Sequence, residues 1–165
     1  MKERTLIIDS VSKSFAMTGF RVGFATGPVH LIELMTKCVE NVYSAVATPS
    51  QYAALVAFDK GMEAMMAMKK EYKKRRDFLV SRINEMDKIS CIMPKGAFYV
   101  FANIKKTGLS AEEFAERLLE KEHVAVIPGS NFSKNASGYV RISYGTSMEK
   151  IEDGLNRMER FLKSL

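Results

Sequence analysis

Apolar and polar positions alternate along the chain in a pattern that predicts short strands and amphipathic helices. Apolar runs rich in β-branched residues predict strands at residues 5–9 and 20–26, with a polar loop between them. Two proline-led stretches predict helices at about residues 28–39 and 49–59, the second with Thr48 as its N-cap. The first third of the chain is therefore predicted to contain two strands followed by two helices.

A long helix and a second group of strands and helices follow. Apolar side chains recur at spacings of three, four or seven over residues 62–86, which predicts one long helix with an apolar stripe. Ser110 and Glu113 have the pattern of a capping box and predict a helix to about residue 122, and Ser147 is the predicted N-cap of the last helix. Further strands are predicted at residues 90–93, 97–103, 124–127 and 139–144. This order indicates an α/β fold in which the long helix links two structural units.

Composition and charge exclude several classes of function. Hydrophobic residues make up 47% of the chain and charged residues 27%, as is typical of a globular protein. The net charge is only +6, and we interpret the basic stretch KKEYKKRR as the solvated face of the long helix, so no nucleic-acid partner is expected. No apolar run is long enough to span a membrane and no signal peptide is recognised, so no membrane association is expected.

The cysteines and histidines indicate neither a disulfide nor a metal site. Cys38 and Cys91 are far apart in apolar surroundings, and we predict both to be small core residues of a reduced, cytoplasmic protein. His30 and His123 have no metal-type spacing to each other or to the cysteines, so no metal is expected.

The stretch SVSKSFAMTGFRVG, which begins at Ser10, carries the candidate chemistry. A lysine amine such as that of Lys13 forms a Schiff base with an aldehyde, and a phosphate on the same ligand requires hydroxyl donors and a guanidinium. Ser10, Ser12 and Arg21 supply those groups, and Gly19 is expected to permit the turn into the next strand. From the residues alone, a polar loop with two solvated cations is the alternative.

This stretch resembles the signature of class I and II aminotransferases, which are fold type I enzymes that use pyridoxal 5′-phosphate (PLP). The resemblance implies that Lys13 holds the cofactor as a Schiff base and shuttles the proton between the substrate Cα and the cofactor. It implies that Ser10 and Arg21 bind the cofactor phosphate, with Ser12 as a weaker phosphate contact. The matching positions are Ser10, Ser12, Lys13, Gly19, Arg21 and Gly23.

Three later segments are similar to the same family in the same order. They are PKGAFYVF at residues 94–101, VAVIPGSNFS at residues 124–133 and GYVRISYGTS at residues 138–147. The last resembles the strand whose arginine binds the substrate α-carboxylate, a role that the resemblance gives to Arg141. Without the resemblance, a surface arginine with a salt-bridge partner is the alternative for Arg141.

The resemblance implies the C-terminal part of an aminotransferase that moves an α-amino group from an amino acid to a 2-oxo acid. We expect residues 1–60 to be a remnant of the large cofactor-binding domain, residues 61–88 a linking helix, and residues 89–165 a small α+β domain. The parent is expected to be a homodimer and this fragment to be inactive alone. Another fold type I enzyme, such as a C–S lyase or a decarboxylase, and a non-catalytic self-associating module are the alternatives.

Overall fold

The computed structural model describes residues 1–165, which separate into two compact units, Met1–Met68 and Lys69–Leu165. The division falls within the longest helix, α4 (Met62–Glu85). The chain combines six α-helices with two antiparallel sheets, which agrees with the predicted α/β class.

The first unit contains a two-stranded antiparallel sheet followed by two helices. Its strands pair in a register that places Ser10 opposite Gly23. The connection between the strands is not an irregular polar loop, because it forms one turn of α-helix and then a 3-10 turn at Thr18–Phe20. The elements are β1 (Ile7–Ser10), α1 (Val11–Ser14), β2 (Gly23–Thr26), α2 (Val29–Tyr43) and α3 (Thr48–Lys60).

The start of α3 differs from its prediction. Thr48 is the first helical residue, so the N-cap is Ala47, and no side chain caps the helix. Pro49 stands at the beginning of the helix, where its missing N–H costs nothing. The predicted Thr48 cap is therefore wrong by one position, and the proline rather than a hydroxyl marks this helix start.

The second unit is a four-stranded antiparallel sheet with helices packed on one face. The strand order is β3-β4-β6-β5, so the two longest strands lie in the centre. The caps predicted for the two following helices are confirmed. Ser110 and Glu113 form both halves of a capping box, and Ser147 accepts a hydrogen bond from the N–H of Lys150. The elements are β3 (Ser90–Cys91), β4 (Tyr99–Asn103), α5 (Ala111–Glu122), β5 (Ile127–Pro128), β6 (Tyr139–Ser143) and α6 (Met148–Lys163).

Strand alternation separates the core of the second unit from its outer sheet face. Successive side chains of a strand point to opposite faces, and Val100 and Val140 are fully buried on one of them. Tyr99, Phe101 and Arg141 therefore share the other face. The core is completed by side chains of α4, α5 and α6, among them Leu79, Ile83, Phe114, Leu118, Leu155 and Phe161.

Exposure corrects one prediction about the cysteines. Both are free thiols, but Cys38 on α2 is exposed and Cys91 is only partly buried, so the prediction that Cys38 is a core residue is wrong. The apolar positions of α2 that are partly buried lie elsewhere on the helix, at Ile32, Met35 and Val39. In the basic stretch of α4 the lysines are exposed, and Glu71 and Asp77 pair with neighbouring cations. None of the helices is both long and apolar enough to cross a membrane.

Candidate functional site

Ser10 and Lys13 lie where β1 turns directly into α1. Ser10 is the last residue of the strand and the N-cap of the helix, and its hydroxyl accepts a hydrogen bond from the N–H of Ser12 at 3.3 Å. Serine favours this position because its short side chain reaches back to the backbone of the first turn. Lys13 follows on the same turn with an exposed side chain. The turn thus places Lys13 at the surface of the unit.

Apolar contacts fix the backbone beneath this turn. Val11 is fully buried, and its N–H donates to the carbonyl of Val22 at 3.3 Å. Phe15 packs edge-to-face on Phe58 of α3, with ring centroids 5.5 Å apart. A Cβ at Gly61 would clash with the carbonyl oxygen of Ala57 and lie 3.0 Å from the Phe15 ring, so glycine suits this position. The turn is therefore held on both sides of the lysine.

Arg21 has a strained backbone, as does Ala16 at φ 55° in the same loop. Arg21 follows the 3-10 turn with φ 58° and ψ 42°, in the left-handed region that costs a side-chain-bearing residue about 1–2 kcal/mol. Its Nη1 donates to the carbonyl of Thr18 at 3.0 Å, which fixes the guanidinium over the turn. Gly19, which was expected to permit the turn into the next strand, is not left-handed, and a Cβ there would meet nothing within 4 Å.

The β1–β2 hairpin brings the four predicted residues of the lysine loop together. Because Ser10 pairs with Gly23, the α1 turn and Arg21 lie at the same end of the two-stranded sheet. That end presents an amine, hydroxyls and a guanidinium, which suit an aldehyde that also carries a phosphate. An open cleft of about 720 Å³ lies beside Arg21 and is lined in part by Phe20, Phe24 and Tyr43.

Arg141 belongs to the second unit and stands in the middle of β6. It is paired with Phe101 of β4 and Ile127 of β5, and its side chain is partly buried. Its guanidinium carbon lies 4.3 Å from the centroid of the Tyr99 ring and 4.5 Å from that of Phe132. No carboxylate of the chain forms an ion pair with it, which contradicts the alternative of a salt-bridged surface arginine.

Two residues of this arginine's surroundings were not found from the sequence. Nothing in the sequence pattern gives Tyr99 or Phe132 a role beside Arg141. A strand-to-strand register would have placed Tyr99 on the face of Arg141, but a sequence without that register gives no such signal. Phe132 lies in the turn after β5, where no periodicity predicts a contact. No group of three or more metal-ligating side chains occurs in the chain.

Comparison with known proteins extends the match to almost the whole chain. The family model for aminotransferase class I and II matches residues 1–158. The aspartate aminotransferase of Pyrococcus horikoshii is 47% identical over 163 residues, and the aromatic-amino-acid aminotransferase 2 of Thermococcus litoralis is 43% identical over 165 residues. The crystal structure of the aromatic aminotransferase from Pyrococcus horikoshii superposes with a TM-score of 0.95 at 45% identity and covers 99% of this chain.

The matched relatives are longer than this chain. The alignments cover 98% and 99% of the chain but only 42% of either curated relative, and 44% of the solved aromatic aminotransferase. The chain therefore spans less than half the length of the proteins that it resembles.

Proposed function

The chain belongs to the class I and II aminotransferase family. We propose that it functions in a PLP-dependent aminotransferase that moves an amino group between an amino acid and a 2-oxo acid. The observation that carries this proposal is the lysine loop, in which Lys13, Ser10 and Arg21 are gathered at one end of the β1–β2 sheet. The names of the relatives suggest aspartate or an aromatic amino acid as substrate.

The residues present fit PLP. Lys13 is an exposed residue, and its amine is the group that would hold the cofactor aldehyde as an imine. The hydroxyl of Ser10 and the guanidinium of Arg21, with Ser12 as a further hydroxyl, are donors suited to its phosphate dianion. When bound, PLP supplies an electron sink for the bonding electrons of the substrate Cα.

The chain's own residues would then act on the substrate in two ways. The Lys13 amine would accept and return a proton at the substrate Cα, which is general acid–base work. Arg141 would bind the α-carboxylate through two parallel N–H···O bonds, and no internal carboxylate competes for those donors. A rigid strand suits this second role because orientation lowers the barrier only when the geometry is fixed.

We further propose that this chain does not transaminate alone, because it spans about 42% of the relatives that it matches. The assignment of residues 1–60, 61–88 and 89–165 to a large-domain part, a linking helix and a small domain is part of the same proposal. So are a homodimeric assembly and a cytoplasmic location.

Reductive labelling tests the lysine assignment. The chain is mixed with PLP, the imine is reduced with borohydride, and the modified peptide is located by mass spectrometry. We expect the label on Lys13, loss of that label in Lys13→Ala, and no change in Lys37→Ala, which removes an exposed lysine of α2. A label spread over many lysines, with the same total in Lys13→Ala, would contradict the cofactor role. Transamination by the isolated chain would overturn the proposed inactivity.

A further inference from the structure

We propose that Tyr99 and Phe132 are positioning residues for Arg141, whose guanidinium they hold through cation–π contacts so that its N–H donors are presented to a carboxylate. The inference rests on the proposed carboxylate role of Arg141. It adds to that role two side chains which themselves need not touch the substrate.

The distances single out this arginine among the cation–ring contacts. Its guanidinium carbon is 4.3 Å from one ring centroid and 4.5 Å from the other, well within the range of about 6 Å in which such contacts are favourable. By comparison, Lys105 lies 5.3 Å from the ring of Tyr139. Arg141 thus has two close aromatic partners, supplied by separate segments, β4 and the turn after β5.

Aromatic rings suit a guanidinium that must stay ready for a ligand. A carboxylate partner would occupy the N–H donors of the arginine and would compete with a bound acid for them. A ring face attracts the cation through its quadrupole and leaves the in-plane N–H groups unused. The two rings therefore restrict the rotamers of Arg141 without consuming its hydrogen-bonding capacity.

The structure also holds both rings in place. Tyr99 contacts Phe98, with centroids 4.4 Å apart. Phe132 is 50% exposed, so burial in the core does not explain its position, and its ring contacts are with Phe101 at 5.7 Å and with Arg141. The turn that carries it is tied to α5, where the hydroxyl of Ser130 donates to the Glu112 carboxylate.

The backbone at the start of that turn is equally constrained. A Cβ at Gly129 would lie 2.7 Å from the carbonyl oxygen of Tyr139 and would also clash with the carbonyl of Ala136. Only glycine allows the turn to pack this closely on β6. The turn that places Phe132 beside Arg141 therefore has little room to shift.

The test follows the Nε–H resonance of Arg141 in the ¹⁵N-labelled chain, assigned by its loss in Arg141→Lys. Ring currents should move this proton upfield, and Tyr99→Leu and Phe132→Leu should each remove part of that shift. Acetate, a small monocarboxylate, is then titrated. We expect each leucine variant to bind acetate about threefold to tenfold more weakly, the range for a lost cation–π contact.

Conservative variants separate positioning from folding. Tyr99→Phe and Phe132→Tyr keep a ring and should retain both the upfield shift and the affinity. Tyr139→Leu is the matched control, because it removes a ring from the same strand and sheet face that has no cation–π contact with Arg141. It should leave the Arg141 resonance unchanged.

Two outcomes would overturn the inference. One is an unchanged Arg141 resonance and acetate affinity in both leucine variants. The other is an equal effect of Tyr139→Leu, which would indicate a general loss of structure. If acetate fails to move the Arg141 resonance of the unsubstituted chain, the proposed carboxylate role is wrong. The ring-current shifts then still decide whether the two rings hold the arginine.

Discussion

At the scale of single residues, Tyr144 joins the core of the second unit to the segment that leads into β4. Its side chain is 1% exposed, and its hydroxyl donates to the carbonyl of Ala97 at 3.0 Å. Ala97 is held in the left-handed region at φ 59°, so this bond stabilises a backbone that is otherwise unfavourable. We expect Tyr144→Phe to lower the free energy of unfolding by about 1 kcal/mol, measured by urea denaturation. The control is Tyr139→Phe, which removes a hydroxyl that has no such bond and should have no effect. Equal losses in the two variants would contradict the role of the Tyr144 hydroxyl.

The same tyrosine predicts a dependence of stability on alkaline pH. Burial raises the pKa of Tyr144, so the folded chain retains this proton at pH values where the unfolded chain releases it. The stabilising contribution is complete below the unfolded pKa, about pH 10, and disappears as the pH rises through the folded pKa. The free energies of unfolding of the wild-type chain and Tyr144→Phe, measured between pH 8 and pH 11, should therefore converge as the pH rises. A constant difference across that range would show that the proton of Tyr144 is not linked to folding.

At the scale of elements, the capping box of α5 links a sequence signal to stability. The Ser110 hydroxyl accepts from the N–H of Glu113 at 3.2 Å, and the Glu113 carboxylate accepts from the N–H of Ser110 at 3.0 Å. We expect Ser110→Ala to cost about 1 kcal/mol in urea unfolding at pH 7, because a helix N-terminal donor loses its partner. Glu116→Ala, at an exposed position of the same helix, should be nearly neutral.

This cap should weaken in acid. The backbone N–H and then the hydroxyl of Ser110 lower the pKa of the Glu113 carboxyl below its ordinary value. A lowered folded pKa contributes stability above the unfolded value, near pH 4.5, and that contribution is lost as the pH falls through the folded pKa. The effect of Ser110→Ala should therefore be smaller at pH 3 than at pH 7. If Ser110→Ala has the same effect at both pH values, that effect is due to the lost hydroxyl alone and not to the charge of Glu113.

Helix starts were predicted more accurately than strand ends, because a helix start depends on residues that are close in sequence. Ser110 and Ser147 mark their helices through bonds to residues three positions away, which the sequence shows directly. The strand predicted at residues 124–127 is instead β5 (Ile127–Pro128), because its extent depends on pairing with β6. A strand end is decided by a partner that is distant in sequence.

In the candidate site, too, contacts that are local in sequence could be predicted and contacts between distant segments could not. The lysine loop could be predicted because Ser10, Lys13 and Arg21 lie within one short stretch. The contact of Arg141 with Tyr99 and Phe132 could not, since it needs the β4–β6 register and the path of a turn. The left-handed backbone of Ala16 and Arg21 also follows from the fold of the loop rather than from residue type.

At the scale of the whole molecule, the buried core is unevenly distributed. The contiguous core runs from Leu79 on α4 to Leu162 on α6, within the second unit. In the first unit only Val11 and Ala54 are buried hydrophobic residues. Large apolar side chains that are more than half exposed in that unit include Ile8, Val29, Val42, Tyr52 and Leu55. Buried apolar area is the main source of folding free energy, so the two units should differ in local stability.

Hydrogen exchange followed by mass spectrometry measures this difference in the intact chain. We expect peptides from β4, β6, α5 and α6 to be the most protected and to open together, because their side chains share one core. Peptides from residues 1–68 should exchange faster, since few apolar side chains there are buried. Ile83→Val removes one methylene from the core and should lower the free energy of unfolding by about 1 kcal/mol. The opening free energies of those four elements should fall by a similar amount. Equal protection along the whole chain, or a loss confined to α4 in this variant, would contradict a single cooperative core in the second unit.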